Sequence, residues 1–548
     1  MTGSFLYVRL CYLVAAVICL FSCQEVTVIS YYVDCESGSD LNEGTSAAEA
    51  WQSLERVNQV TFEPGDKLLF KAGCEWSGTL LPKGSGAPNK PITMGKYGEG
   101  KAPKIQGQGA YNCTPEAEDE HFCTLFLYNQ EYWAIRDLEI TNYDQQEEGI
   151  TLTKWEQHNI DSFANYYHPK QYQQPRKRKS AILVQARNYG AIHNLTYNNL
   201  YIHGINGDIR TKNNGGIFLE ILGSESEKPT YFDGLVFDSC YIHDVDRTGI
   251  SNSSYYENRT LDSIDNWTPS LGYIVRNCRF ERTGANALIL RVADKPIIEN
   301  NLFDHCAIKE SGNAFFVFNT DSALLQYNEG RFTKYNIGDH DAGGIDSDFR
   351  TKWTIMQYNY IHDNDFGPLV TGGQRSFGGF NEGTIVRFNI FENDGITRDT
   401  SDGRLDYSFK ISGNATNTWV HNNIFKIGSK QKGRAAVYHK NWGGYPSKST
   451  YYNNVIINDG VGTYLQMTES TENHFENNVI ANKPVRSWPS RDANIVDVRE
   501  LFKSDNDGYV PSENSLLRNT GIELIKMPTK DYEGKRIHAD SLNIGINF

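Results

Sequence analysis

The sequence is short of several things, and each shortage excludes a class of protein. None of its 10 cysteines forms a Cys-x-x-Cys pair, which argues against a structural zinc site. Basic residues are outnumbered, with 53 Lys and Arg against 67 Asp and Glu, and a net charge of −14 argues against a nucleic-acid binder. Beyond residue 23 no stretch is apolar enough to cross a membrane. A helical period is also missing, because apolar residues alternate in short runs rich in β-branched and aromatic side chains. That counts against a long helical array, and a propeller would need longer, four-strand repeats.

The one long apolar run is at the start. Leu10–Phe21 follows Arg9 and has the length of an export-signal core, too short to span a bilayer. Leu20-Phe21-Ser22-Cys23 resembles a bacterial lipobox, which would place a lipid on Cys23; simple cleavage is the competing reading. Either way the protein is expected to be exported. It would sit at the cell surface or in the periplasm if lipidated, with the lipid as its only tie to a membrane, and be secreted otherwise. In an oxidising compartment Cys113 and Cys123, which bracket an acidic loop, are placed to form a disulfide, and Cys35 and Cys74 are a second candidate pair. Seven cysteines remain after the signal, so at least one thiol stays free.

Abundant Tyr (32) and Gly (48) suit β structure with many turns. In residues 31–109, Tyr31–Val33, Lys67–Lys71, Gly78–Leu81 and Pro91–Met94 read as strands. Ser46-Ala47-Ala48-Glu49 reads as a capping box opening a short helix with Trp51, Leu54 and Val57 on one face. Such a helix would cover the open end of a strand stack. Residues 110–180 read as irregular polar loops, whose basic run Arg176–Lys179 is either solvated or set against an anionic ligand. From 181 to 482 a unit apolar-x-apolar-x-Asn-Asn-x-Ile/Phe recurs, for example at Leu195–His203, Pro296–Asp304, Trp353–Asp363, Thr418–Lys426 and His474–Asn482. The shortest steps, Cys278 to Asn301 and Asn454 to Asn478, have the length of one coil of a parallel β-helix. The paired Asn suit turns, where they satisfy local backbone and tolerate left-handed geometry. About ten coils are expected there, with 483–548 capping the far end.

One stretch breaks the repeat. Gly338–Phe349 carries Asp339, Asp341, Asp346 and Asp348 and has no counterpart in other coils. Asp346 stands thirteen residues before Asn359, and Lys410 thirteen before Asn423. Repeat arithmetic therefore puts them on equivalent positions two coils apart, roughly 10 Å. The coil between carries Thr371–Arg375 and the one after carries His439 and Lys440, which predicts a line of ionisable groups across an exposed sheet. Asp346 and Asp348 share a strand face, with Cα atoms roughly 6.6 Å apart, so one pKa should rise. Such a pair supplies an acid and a nucleophile or base, or else binds calcium. Arg291, Asn319, Arg375, His439, Lys440 and Trp442 are candidate sugar contacts. His362-Asp363 looks like a dyad, but His203 and His243 hold the same repeat position, which marks it as scaffold.

Several segments carry a resemblance. Tyr31–Asp34, Gly38–Ser46, Pro64–Gly73 and Lys90–Gly98 look like the N-terminal region of exported right-handed β-helix proteins that degrade polysaccharides. Gly343–Asp348 with Gln357–Asp365, and Arg387–Gly395, resemble their central signature; Asp531–His538 and Asn543–Phe548 resemble their ending. Two classes share that scaffold. In the lacto-N-biosidase-like glycoside hydrolases of family 136 the catalytic aspartates lie seven apart, as Asp341 and Asp348 do here. In the pectate-lyase-like families some members use calcium-binding aspartates and a Lys base, for which Asp346, Asp348 and Lys410 would serve.

The expectation is an all-β right-handed parallel β-helix with an N-terminal helix cap, acting as a monomeric enzyme on a poly- or oligosaccharide. The leading function is a cofactor-free glycoside hydrolase using Asp341, Asp346 and Asp348. The alternative is a calcium-dependent lyase with Lys410 as base, assisted by Arg375 or His439. A non-catalytic glycan binder is the third reading.

Overall fold

A computed structural model describes residues 28–114, 120–147, 176–335, 340–395, 407–489, 495–503 and 508–547. The expected export signal and Cys23 lie outside the described residues. The chain winds into a right-handed parallel β-helix. Two parallel sheets of fourteen strands run its length, and a third has a path of eleven strands starting at His121–Tyr128. Ten strands of the first sheet fall within 181–482, the number of coils expected from the repeat.

Alternation explains the core. In the coil Ile274–Arg276, Arg279–Thr283 and Leu288–Asp294, the inward residues Val275, Phe280, Leu288 and Leu290 are fully buried. The next coil repeats the pattern in register, Val275 on Ile298 and Phe280 on Phe303. Rings of neighbouring coils stack, as for Phe280 and Phe303 with centroids 5.0 Å apart. Apolar area thus leaves water by stacking like on like.

The Asn pair between the first and second sheets divides its labour. The second Asn points inward and builds a ladder through Asn301, Asn328, Asn359, Asn389, Asn423, Asn454 and Asn478, all buried. Each rung is alike. The Asn328 amide and its Nδ2 both donate to Asn359 Oδ1 at 3.0 Å, and Nδ2 also donates to the Ile298 carbonyl at 2.9 Å. The residue before each rung takes the left-handed turn: Asn300, Tyr327, Tyr358, Phe388, Asn422, Asn453 and Asn477 have φ from 52° to 59°. Each non-glycine residue there costs roughly 1–2 kcal/mol, and the rung beside it holds the corner in place.

Other expectations need correction. The Ser46 capping box is absent: Ala47–Glu49 is one 3-10 turn without a side-chain cap. The helix is the five-residue Leu54–Asn58, capped by Ser53, which accepts from the Arg56 amide. Trp51 pairs with Val33 as strand instead, while Leu54 and Val57 join the core. The edge near Gly78 falls earlier, at Glu75–Ser77. The described part of 110–180 is a coil rather than loops, with strands His121–Tyr128, Trp133–Arg136, Glu139–Asn142 and Arg178–Arg187. Its Lys179 is buried against Glu147 and Asp144, so the basic run is largely internal ion pairing. Residues 517–547 lie along the flank of the last coils, where Asn422 Nδ2 donates to the Asn543 and Gly545 carbonyls. Both candidate disulfides are present, and Cys240, Cys278 and Cys306 are buried thiols.

The ladder makes a stability prediction. Asn389→Ala would strip the Asn359 amide and the Met356 carbonyl of their buried partners, at a cost of about 3 kcal/mol. Exposed Asn198→Ala should stay within about 0.5 kcal/mol of wild type in the same denaturant titration.

Candidate active site

The third sheet turns two outer columns of side chains away from the core. One runs Ile289, Phe316, Asp346, Leu369, Lys410, Tyr438 in strict register. Lys410 therefore stands two coils from Asp346 on one line, as the repeat arithmetic expected. The second runs Arg291, Phe318, Asp348, Thr371, Ser412, Lys440, with the Asp348 amide donating to the Val317 carbonyl.

The first column is not open to water, which corrects the expectation of ionisable groups on an exposed sheet. Asp346 is 2% exposed and Lys410 8%. Ala342, Phe366, Leu369, Tyr407 and Ala435 form a buried apolar cluster around this column, with Tyr438 and Tyr464 packed against it. Lys410 Nζ lies 4.7 Å over the Tyr407 ring. Asp341 and Asp348, by contrast, are only half-buried.

Burial sets the charges. Asp346 Oδ2 accepts from Asn313 Nδ2 at 3.0 Å, while Oδ1 is buried without a hydrogen-bond partner among the described residues. Desolvation, with Asp348 and Asp341 adding repulsion, pushes the Asp346 carboxyl well above the usual carboxylate range. Desolvation also brings Lys410 down to about 8, helped by Lys440 and opposed by Asp341, Asp346 and Asp348. Three carboxyl groups and one lysine thus form one electrostatic unit, with the most buried carboxyl, Asp346, raised and Lys410 lowered.

The remaining candidates divide. Arg291 heads the Asp348 column; its half-buried guanidinium donates to the Asn252 carbonyl at 2.7 Å, and desolvation lowers it to about 10. Lys440 is exposed at the other end of that column. Trp442 sets its edge on Phe349 at 5.8 Å, and Phe349 meets Phe318 at 4.8 Å, so an aromatic wall stands beside Asp348. Arg375 is exposed on the rim and donates to Asn414 Oδ1 at 3.1 Å.

Two candidates face elsewhere. His439 aligns with inward-pointing Ile411 and hydrogen-bonds the Tyr451 hydroxyl and Ser470 Oγ at 2.7 Å; burial takes it to about 3. It belongs to the interior because alternation puts Tyr438, not His439, in the Lys410 column. Asn319 is fully buried, accepting from Arg259 Nε at 2.7 Å and donating to the Glu257 carbonyl at 2.6 Å. It anchors a hairpin. His203 and His243 pair in register with stacked rings, and His362 bonds its neighbour Asp363. Asp339 lies outside the described residues.

Sequence reasoning missed Asn313, Tyr407 and Phe349. Asn313 had a signal, since Asn286 and Asn313 each stand two residues before successive strands of the third sheet, Leu288–Asp294 and Phe315–Asp321, and Asn286 Nδ2 donates to the Asn313 carbonyl at 2.7 Å. Tyr407 and Phe349 had none beyond their sequence proximity to Lys410 and Asp348.

The aspartates do not fit a calcium site. Calcium wants six to eight oxygen ligands. Among the described residues no group of three His, Cys, Asp or Glu is arranged to hold a metal.

No family model matches the sequence. The chain is 26% identical over 536 residues to a lacto-N-biosidase of Bifidobacterium longum subsp. longum, covering 86% of this chain and 32% of the relative. The chain thus spans about a third of that curated protein. The crystal structure of the lacto-N-biosidase of family 136 from Eubacterium ramulus superposes with a TM-score of 0.59 at 21% identity, covering 82% of this chain and 68% of that one. Its selenomethionine form gives 0.57. The chain resembles the family 136 lacto-N-biosidases. The solved structures establish the shared β-helix.

A spectroscopic prediction follows from the burial of Asp346. At neutral pH the infrared spectrum should contain a protonated-carboxyl C=O band that Asp346→Asn removes. An unchanged band would mean that Asp346 is ionised.

Proposed function

We propose that the protein is an exported glycoside hydrolase that cleaves an oligosaccharide or polysaccharide with Asp341 and Asp348. The observation that carries this is the carboxyl cluster itself: the half-exposed Asp341 and Asp348 with the buried Asp346, whose carboxyl is pushed well above the usual range by burial and by their repulsion. Asp341 and Asp348 reach the substrate, one as general acid and the other as nucleophile or base. Their spacing of seven matches the resemblance to family 136, and the relatives' name makes lacto-N-biosides the first substrates to test.

Asp346 acts as a positioning residue. Kept protonated, it spares the pair a third negative charge while filling its place beside Asn313. Lys410, charged below about pH 8, offsets one carboxylate of the pair. Asp348 faces the Phe318, Phe349 and Trp442 wall, which offers ring surface to a sugar.

The lyase reading draws on one observation, the lowered Lys410, which resembles a base. Lys410→Arg separates the two. Guanidinium stays protonated, so a lyase would lose orders of magnitude on this change. A hydrolase should keep its rate within about tenfold, and its alkaline limit near pH 8 should move upward because Arg does not neutralise there. Asp341→Asn and Asp348→Asn should each lower kcat by about 10²- to 10⁴-fold. Asp346→Asn, which mimics a neutral carboxyl, should cost much less and displace the pH profile. Near-wild-type rates in both Asp341→Asn and Asp348→Asn would refute the assignment.

A further inference from the structure

Beside the carboxyl cluster lies a cleft of about 650 Å³ that the proposed chemistry does not use. Glu225, Tyr255, Asn258, Asp265, Arg350 and Phe377 line it. We propose that it holds the distal part of a neutral oligosaccharide chain whose cleavable end lies at Asp341 and Asp348.

Its walls come from two insertions in the coil stack. One is an antiparallel hairpin, Glu257–Arg259 with Ile264–Trp267, set outside the three parallel sheets. The other is the turn Arg375–Phe377. Arg259 locks the hairpin down: its guanidinium lies 3.9 Å over the Trp267 ring, pairs with Asp321 at 2.9 Å and donates to Asn319 and to the Arg350 carbonyl. Arg350 in turn donates to the Phe377 carbonyl at 3.2 Å. The cleft floor is therefore built in advance, which reduces the ordering cost of a ligand.

The cleft and the proposed active site are joined through the chain. Arg350 is two residues from Asp348, and Phe349 between them belongs to the aromatic wall. The Arg375 amide donates to the Gly443 carbonyl, tying the turn to the Trp442 segment. Exposed rings thus lead away from the carboxyl cluster: Trp442 at 39%, Phe377 at 71% and Tyr255 at 39%. Large apolar rings left in water beside a polar cleft mark a binding surface.

The lining selects the ligand class. Glu225, Glu227 and Asp265 give the cleft carboxylates, with Arg350 as the accessible cation; Glu227 is paired with Arg187 at 2.9 Å. A uronate or sulfated chain would be repelled. Ring faces stack on sugar C–H faces, and carboxylate and Asn oxygens accept from hydroxyl groups, which suits neutral hexose or N-acetylhexosamine units.

The proposal rests on the glycosidase reading for the direction of the chain, so its test separates binding from turnover. The full chain carrying Asp348→Asn would be titrated calorimetrically with a neutral hexasaccharide, the matching disaccharide and a uronate hexasaccharide. The neutral hexasaccharide should bind at least about tenfold more tightly than the other two. Adding Phe377→Ala or Tyr255→Ala should remove about that factor for the hexasaccharide and leave the disaccharide unchanged, while Phe377→Trp should restore it. Both rings are exposed, and circular dichroism checks that the variants fold. Unchanged hexasaccharide affinity in the Ala variants, or tighter binding of the uronate chain, would overturn the cleft assignment. Length-dependent binding without wild-type turnover of any neutral glycan would count against the hydrolase and leave the cleft standing.

Discussion

The asparagine ladder is the constraint on which the architecture depends. A parallel β-helix must turn a corner in every coil at the same height, and each corner exposes backbone groups to the core. Buried amides and carbonyls without partners cost about 1–3 kcal/mol each. From Asn301 to Asn478 one inward side chain per coil meets that demand, accepting from one coil and donating to backbone and the next rung. Once the corner is fixed, register is fixed, and a one-residue slip would turn every side chain to the wrong face. The flank of the ladder also explains the last segment. Its carbonyls meet Asn422, Asn453 and Asn477, the left-handed residues whose side chains point outward.

The ladder lies between the first two sheets, and all three sheets wall the core, so the outer face of the third is left free to vary. Loops of different length enter it, and the site gathers there. Strict register aligns Asp346 with Lys410 across two coils, and the roof of Phe366, Leu369 and Tyr407 keeps water from both. Desolvation then disfavours both charges, raising the acid and lowering the base. The half-exposed Asp341 and Asp348 sit over a floor whose charge is set by packing. On this view, a rigid scaffold supplies the position and burial supplies the protonation state.

Much of this was legible in the sequence. The repeat gave the fold class and the coil number, and counting from Asn359 and Asn423 placed Asp346 and Lys410 on one line. What failed did so for physical reasons. Period-two alternation says which side of a strand a residue takes, but not whether a loop later covers that side; hence Asp346 and Lys410 looked exposed. A shift of one residue between Tyr438 and His439 exchanged an outer position for an inner one. Ser46–Glu49 carries the letters of a capping box, yet Trp51 gains more by pairing with Val33 in the core. Asn319 looked like a sugar ligand because its partner, Arg259, comes from a hairpin sixty residues earlier.

The central claim is that water attacks a glycosidic bond under the control of paired aspartates. Turnover of a lacto-N-bioside and, separately, of a uronate-containing polysaccharide in oxygen-18 water tests it most directly. The account predicts one heavy oxygen in the new reducing end and no unsaturated product. An unsaturated, ultraviolet-absorbing sugar without the label would contradict it.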